Sequence, residues 1–145
     1  MAVPLQVTFD CADPDRLATF WAAALDYEKQ RPPEGYDSWQ AFLADRGMPE
    51  DQWNSASAIN DPSGNGPRIY FQRVPEPKAA KNRVHLDVNV GGGHRTPTDE
   101  RRSRVNTAAE KLVGLGATID GRAEGHFGEY WIVMRDPEGN EFCVQ

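Results

Sequence analysis

The sequence predicts an α+β domain made of two similar βαβββ halves, and three observations carry that prediction. Strand-like and helix-like periodicities run in the same order twice. The turn motif Asp61-Pro62-Ser63-Gly64-Asn65 recurs 75 residues later as Asp136-Pro137-Glu138-Gly139-Asn140. The segment Gln6-Val7-Thr8-Phe9-Asp10 is paralleled 79 residues later by His85-Leu86-Asp87-Val88-Asn89. Two near-equal offsets in one chain mark an internal duplication, and a duplication fixes the architecture before any local assignment does. The 145 residues amount to one domain, with a first module at 1–75 and a second at 76–145.

Each element has its own signal. Leu5 to Cys11 alternates apolar and polar residues, the period of a half-buried strand. Asp13 suits an N-cap and Pro14 a first helical turn. Leu17, Phe20, Trp21, Ala24 and Leu25 then recur at helical spacing, predicting a helix over 14–25. Tyr27 to Gln30 reads as a short strand, broken by Pro32-Pro33-Glu34-Gly35. In 36–53, Trp39, Phe42 and Leu43 suggest a short helix that Gly47-Met48-Pro49 ends. Strands follow at 55–60 and 68–74, separated by the first Asp-Pro turn. After a linker, 75–82, the second half predicts a strand at 84–90 and a helix at 100–115 stopped by Gly116. Strands at 117–123, 129–135 and 141–145 complete it.

Composition narrows the function classes. The net charge is −6, with 39% apolar and 26% charged residues. No Lys/Arg stripe argues for nucleic acid; the densest basic run, Arg101, Arg102 and Arg104, reads as a solvated helix face. No stretch is apolar over the length of a membrane span, and Met1-Ala2-Val3-Pro4 carries no secretory pattern, so the expectation is a cytoplasmic protein. Cys11 and Cys143 form no C-x-x-C pair, which leaves a zinc knuckle unsupported, and they are expected as free thiols.

Period-2 alternation sorts the strand residues by face. Val7, Phe9, Ile69 and Phe71, and Leu86, Val88, Phe142 and Val144, are expected to face the helices. The opposite faces then carry Gln6, Thr8 and Asp10 with Arg68, Tyr70 and Gln72, and His85, Asp87 and Asn89 with Glu141, Cys143 and Gln145. Tyr36, Trp39 and Trp53 flank the irregular 33–53 insert. They could form a local mini-core, or lie over a cavity as a lid for a flat or apolar ligand.

A βαβββ unit used twice, with Asp-Pro-x-Gly-Asn before the last strand, resembles the vicinal oxygen chelate superfamily, the glyoxalase/bleomycin-resistance/dioxygenase group. Asp13-Pro14 with Phe20-Trp21, Lys81 to Asp87, and Asp136 to Val144 are similar to its glyoxalase-like actinobacterial branch. The resemblance implies a curved, mixed eight-stranded sheet, a half-barrel with helices outside and a small-molecule cavity between the modules. It implies a homodimer in many members, some with an exchanged N-terminal arm, which Pro4 would suit. It also implies, in many members, one divalent metal held by two ligands from each half. Carried over, those positions are Gln6, Tyr70 or Gln72, His85 and Cys143.

Only His85 is a conventional ligand among these, and neutral amides bind metals weakly. Cys143 with His85 would suit zinc but lacks a third ligand. Glu141, on the strand face of Cys143, enters the metal set with His85 if the register slips. The reading favoured is therefore a bleomycin-resistance-like binder of a small organic molecule, with no resident cofactor, no nucleic acid and no membrane. Its ligand-binding residues would be Gln6, Thr8, Tyr70, Gln72, Asp87, Trp131 and Cys143. The alternative is a divalent-metal lyase, isomerase or dioxygenase using His85. A metal-free isomerase with His85 as catalytic base stands third. A Cys143 nucleophile with His85 as its base is the remotest reading.

Overall fold

The computed structural model describes residues 1–145 and divides them into two compact units, Met1–Pro77 and Lys78–Gln145. The first holds β1 (Val7–Cys11), α1 (Pro14–Leu25), β2 (Glu28–Lys29), α2 (Trp39–Asp45), a 3-10 turn (Glu50–Gln52), β3 (Ala56–Asn60) and β4 (Ile69–Arg73). The second holds β5 (Asp87–Val88), α3 (Thr98–Gly114), β6 (Thr118–Glu124), β7 (Tyr130–Arg135) and β8 (Glu141–Val144). Each unit makes its own mixed sheet, ordered β1-β4-β3-β2 and β5-β8-β7-β6. The eight strands are thus hydrogen-bonded as two open sheets of four. In both, the first strand pairs in parallel with the last and the remaining ladders are antiparallel.

Asp13 shows why α1 begins where it does. Its carboxylate accepts from Arg16 N at 3.2 Å, the capping bond the sequence promised. It also accepts from Asn54 Nδ2 at 2.8 Å, while Asn54 Oδ1 accepts from Asp15 N at 2.9 Å. The Asn54 bond, foremost, holds the Asp13 carboxyl below its ordinary range. The cap thus ties the approach to β3 onto the start of α1. Asp13→Ala is expected to cost about 1 kcal/mol in urea unfolding.

The apolar face of α1, with Leu17, Ala18, Phe20 and Trp21, is buried, as are Ile59, Ile69 and Phe71 of the sheet. Phe9 links the two layers, 5.3 Å from the Trp21 ring and 5.4 Å from Phe71. In the second unit, Val105, Ala109 and Leu112 of α3 are buried with Ile132, Met134, Phe142 and Val144. Both helix-facing sets match the parity of the sequence. The basic run of α3 is less solvated than expected. Arg102 stacks 4.8 Å above the Tyr130 ring and pairs with Glu124 at 2.8 Å.

The strand expected at 84–90 shrinks to Asp87–Val88. Its partner is the cause. β5 pairs only with β8; Cys143 N donates to Leu86 O and Gln145 N to Val88 O, both at 3.0 Å. Both bonds lie on this one edge, and Val90 N and Gly91 N then both turn onto Gln145 O, at 2.7 and 3.0 Å, so the regular alternation stops there. The duplicated turns have one physical role. Asp61 accepts from Ser63 N, Asn65 N and Gly66 N. Asp136 likewise accepts from Glu138 N and Asn140 N, at 2.9 and 3.0 Å. Each is an Asp side chain satisfying the amides of its own loop. Cys11 and Cys143 are both buried and neither is in a disulfide, and no helix is long and apolar enough to cross a membrane.

Candidate functional site

The helix-free face of the first sheet is built from β1 and β4 in parallel register, with Thr8 opposite Tyr70 and Asp10 opposite Gln72. Its polar groups are largely bonded to each other. Arg68 Nη1 donates to Gln6 Oε1 at 2.6 Å and Arg68 Nε donates to Gln30 Oε1 at 2.8 Å. Gln72 Nε2 donates to Asp10 Oδ1 at 2.7 Å, and Gln6 Nε2 to Thr8 Oγ1 at 3.4 Å. The Arg68 guanidinium lies 5.1 Å over the Tyr70 ring, a cation–π contact.

Beside this face lies a cavity of about 700 Å³, within the range of small-molecule sites. Its floor is Ala56, Ala58, Arg68 and Tyr70; its cover is the 33–53 insert, through Trp39, Leu43, Met48 and Trp53. The insert does both things the sequence left open. It has an aromatic mini-core, with Phe42 edge-on to Tyr36 at 5.1 Å and to Trp39 at 5.8 Å. It also roofs the cavity, and α2 buries none of its residues fully. Both roof indoles spend their N–H on backbone: Trp39 Nε1 donates to Gln30 O at 2.7 Å and Trp53 Nε1 to Met48 O at 3.0 Å. Their ring faces are left for apolar contact. Of the candidate residues Tyr70 lines this cavity; Gln6, Thr8 and Gln72 do not. Arg68 was legible as sharing the Tyr70 face, but its bond to Gln6 depends on a register that periodicity does not give.

In the second unit, His85, Asp87 and Cys143 come together, their ligand atoms all within 4.8 Å of one another. The ladder does this: Asp87 is directly opposite Cys143, and His85 is two residues before Asp87 on the same face. His85 Nε2 is 3.4 Å from Asp87 Oδ1. Burial first, then the charge and hydrogen bond of Asp87, push the Cys143 thiol above its ordinary value. That shift makes it a poor nucleophile near neutral pH. Trp131 belongs to this face as well. Its neighbours Ile132 and Met134 are buried and Tyr130 hydroxyl donates to Asn106 on α3, so Trp131 and Val133 point to the other side, and Val133 pairs with Cys143.

Glu141 stands apart from this group. Its carboxylate accepts from Asn82 N at 3.0 Å and Lys78 Nζ at 3.2 Å, with Arg135 Nη1 at 3.5 Å. These partners, led by the Asn82 amide, bring it from an ordinary 4.5 down to about 2. It reads as a lock on the linker.

The metal pattern implied by the resemblance can be tested on donors. In the first unit it does not fit. The Gln6 amide oxygen already accepts from a guanidinium, whose positive charge opposes a cation at that place, and Gln72, its amide N–H given to Asp10, has only a neutral oxygen to offer. Tyr70 lies under the same guanidinium. The donors that suit a metal are gathered in the second unit alone.

The comparisons agree with the architecture. A family model for the glyoxalase-like domain matches residues 6–145. No curated protein matches at a significant level. A mutant of the fosfomycin resistance protein FosX from Listeria monocytogenes, solved with Mn(II) and 1S,2S-dihydroxypropylphosphonic acid, has a TM-score of 0.62 at 14% identity. The alignment covers 100% of this chain and 90% of that one. A glyoxalase/bleomycin resistance protein/dioxygenase family enzyme from Burkholderia phytofirmans gives 0.61 at 14% identity, covering 96% and 94%. Lactoylglutathione lyase from Agrobacterium tumefaciens gives 0.57 at 10% identity, covering 99% and 92%. At such identities the neighbours speak for the fold, and the family match speaks for descent. This chain belongs to the glyoxalase-like domain family, and it shares its fold with solved members of the glyoxalase/bleomycin resistance/dioxygenase, or vicinal oxygen chelate, group.

Proposed function

We propose that this glyoxalase-like chain binds a small organic molecule in the first-module cavity, and that the ligand has a flat apolar body. The observation that carries this is the roof. Two indoles with their N–H groups already satisfied can offer a ligand only ring faces, which select planar apolar surface. Arg68 lies on the floor, with Nη1 and Nε bonded and Nη2 left over. A guanidinium so placed would favour a carboxylate or similar anion at one end of the ligand.

The test is a thermal-shift and tryptophan-fluorescence screen of aromatic acids and their neutral amides. Saturable binding is expected, with Trp39→Ala and Trp53→Ala each weakening a hit by about tenfold, near 1.4 kcal/mol. Arg68→Met should abolish any preference of acid over amide. A broad panel with no saturable hit, or hits indifferent to both indoles, rejects the reading. A homodimer is proposed with it, since Val3, Leu5 and Phe127 stand exposed to solvent; a monomer in sedimentation velocity across the working concentrations would remove that part.

A further inference from the structure

We propose that the second module binds a zinc ion on His85, Asp87 and Cys143, in a site that needs no donor from the first module. The inference does not depend on the cavity reading. Three different donor types, an imidazole, a carboxylate and a thiol, have their ligand atoms within 4.8 Å of one another. Backbone geometry puts them there. Asp87 and Cys143 are directly paired in a parallel ladder, and the bond from Cys143 N to Leu86 O fixes that register. His85, two residues before Asp87 and outside the strand, joins them with its Nε2 3.4 Å from Asp87 Oδ1.

The distances can be set against what zinc needs. Bonds of 2.0–2.3 Å in a tetrahedron place neighbouring donors about 3.3–3.8 Å apart. The His85–Asp87 separation, 3.4 Å, already satisfies this. The widest separation must close by roughly 1 Å, which side-chain rotation supplies. The two residues that must move are the free ones: the side chains of His85 and Asp87 are each 44% exposed, whereas Cys143 is 9% exposed and anchored in the sheet. That exposure also gives the ion its way in.

The donor set decides the metal. Hard cations such as magnesium and manganese prefer oxygen ligands, while one sulfur, one nitrogen and one oxygen favour zinc. Binding releases the thiol proton to solvent and forms the zinc–thiolate bond, with no change of oxidation state. Three protein ligands leave the fourth position to water or to a ligand oxygen. Without a metal, the same atoms would make a plain chain of hydrogen bonds from Cys143 through Asp87 to His85, and the experiment separates the two.

Untagged protein, stripped with chelator, is titrated with zinc by calorimetry and with cobalt(II) by absorption. One zinc per chain is expected, with no magnesium binding. Cobalt should produce thiolate-to-metal charge-transfer absorption in the near ultraviolet. In a Cys11→Ser background, zinc should slow labelling of Cys143 by a thiol reagent. Cys143→Ser and Asp87→Asn should each weaken zinc by at least about tenfold. Zinc well below one per chain overturns the proposal. So does unchanged affinity in both folded variants, or a labelling rate indifferent to zinc. Should a variant fail to fold, the cobalt spectrum and thiol protection of the parent decide alone.

Discussion

Trp21→Ala is expected to lower the unfolding free energy of the first module by about 4 kcal/mol, the largest single-residue effect in this chain. Trp21 is fully buried, touches the Phe9 ring at 5.3 Å and meets Phe20 edge-on at 5.5 Å. Truncation removes the indole's transfer energy and leaves a cavity that the stacked Phe9–Phe71 pair cannot fill without leaving its own packing. Against a total stability of about 5–15 kcal/mol, this is a large part of what keeps the module folded. Trp21→Phe keeps most of the volume and should cost clearly less, which separates packing loss from a general intolerance of change. Urea unfolding followed by circular dichroism reads both. A Trp21→Ala cost below about 1 kcal/mol would mean that α1 is not seated on its sheet as described.

The second large effect is expected at Glu141. Replacing it by Gln keeps the shape and an acceptor for the Asn82 amide, but removes the charge facing Lys78 and Arg135. The expected cost at neutral pH is about 2 kcal/mol, the scale of hydrogen bonds to a charged group. Its pH signature is more diagnostic. The folded-state value, about 2, lies below the ordinary 4.5. The stabilisation is therefore complete above pH 4.5 and is lost as pH falls toward 2. Asp13, Asp61 and Glu129 are also held low, by hydrogen bonds to their carboxylates, so the parent's curve alone sums several groups. The difference between parent and Glu141→Gln curves isolates this one. It should be flat above pH 5 and shrink below 4.5. A difference that is constant down to pH 2 would contradict the lock.

Most of the secondary structure could be read from the chain because its signals are local. The alternation of Val7 and Phe9 against Thr8 and Asp10 needs no partner to be seen, nor does the spacing of Leu17, Phe20 and Trp21, and the structure keeps both. The second module's first strand was read too long because its regular pairing with β8, another part of the chain, spans only Asp87 and Val88. The same limit applied to the site. Parity placed His85 and Asp87 on one face, and Glu141 and Cys143 on another strand's matching face. It could not show that Asp87 lies opposite Cys143 or that Lys78 and Asn82 draw Glu141 away. Arg68 offered a face but not its pairing with Gln6, which is what sets the first module against a metal. Trp39 and Trp53 announced an unusual insert by residue type alone; where their rings point was a matter of tertiary contact.

The central claim is that the space beneath Trp39 and Trp53 receives a flat organic ligand. The four tryptophans report on it separately. Trp39 and Trp53 roof the cavity, Trp21 is buried in the core and Trp131 sits on the second module's sheet. The most direct measurement is the indole N–H spectrum of nitrogen-labelled protein, titrated with the hits of the aromatic-acid screen after assignment by Trp→Phe variants. The expected result is a saturable shift of the Trp39 and Trp53 resonances with Trp21 and Trp131 nearly still. Saturable binding that moves Trp131 and leaves Trp39 and Trp53 unchanged would contradict it.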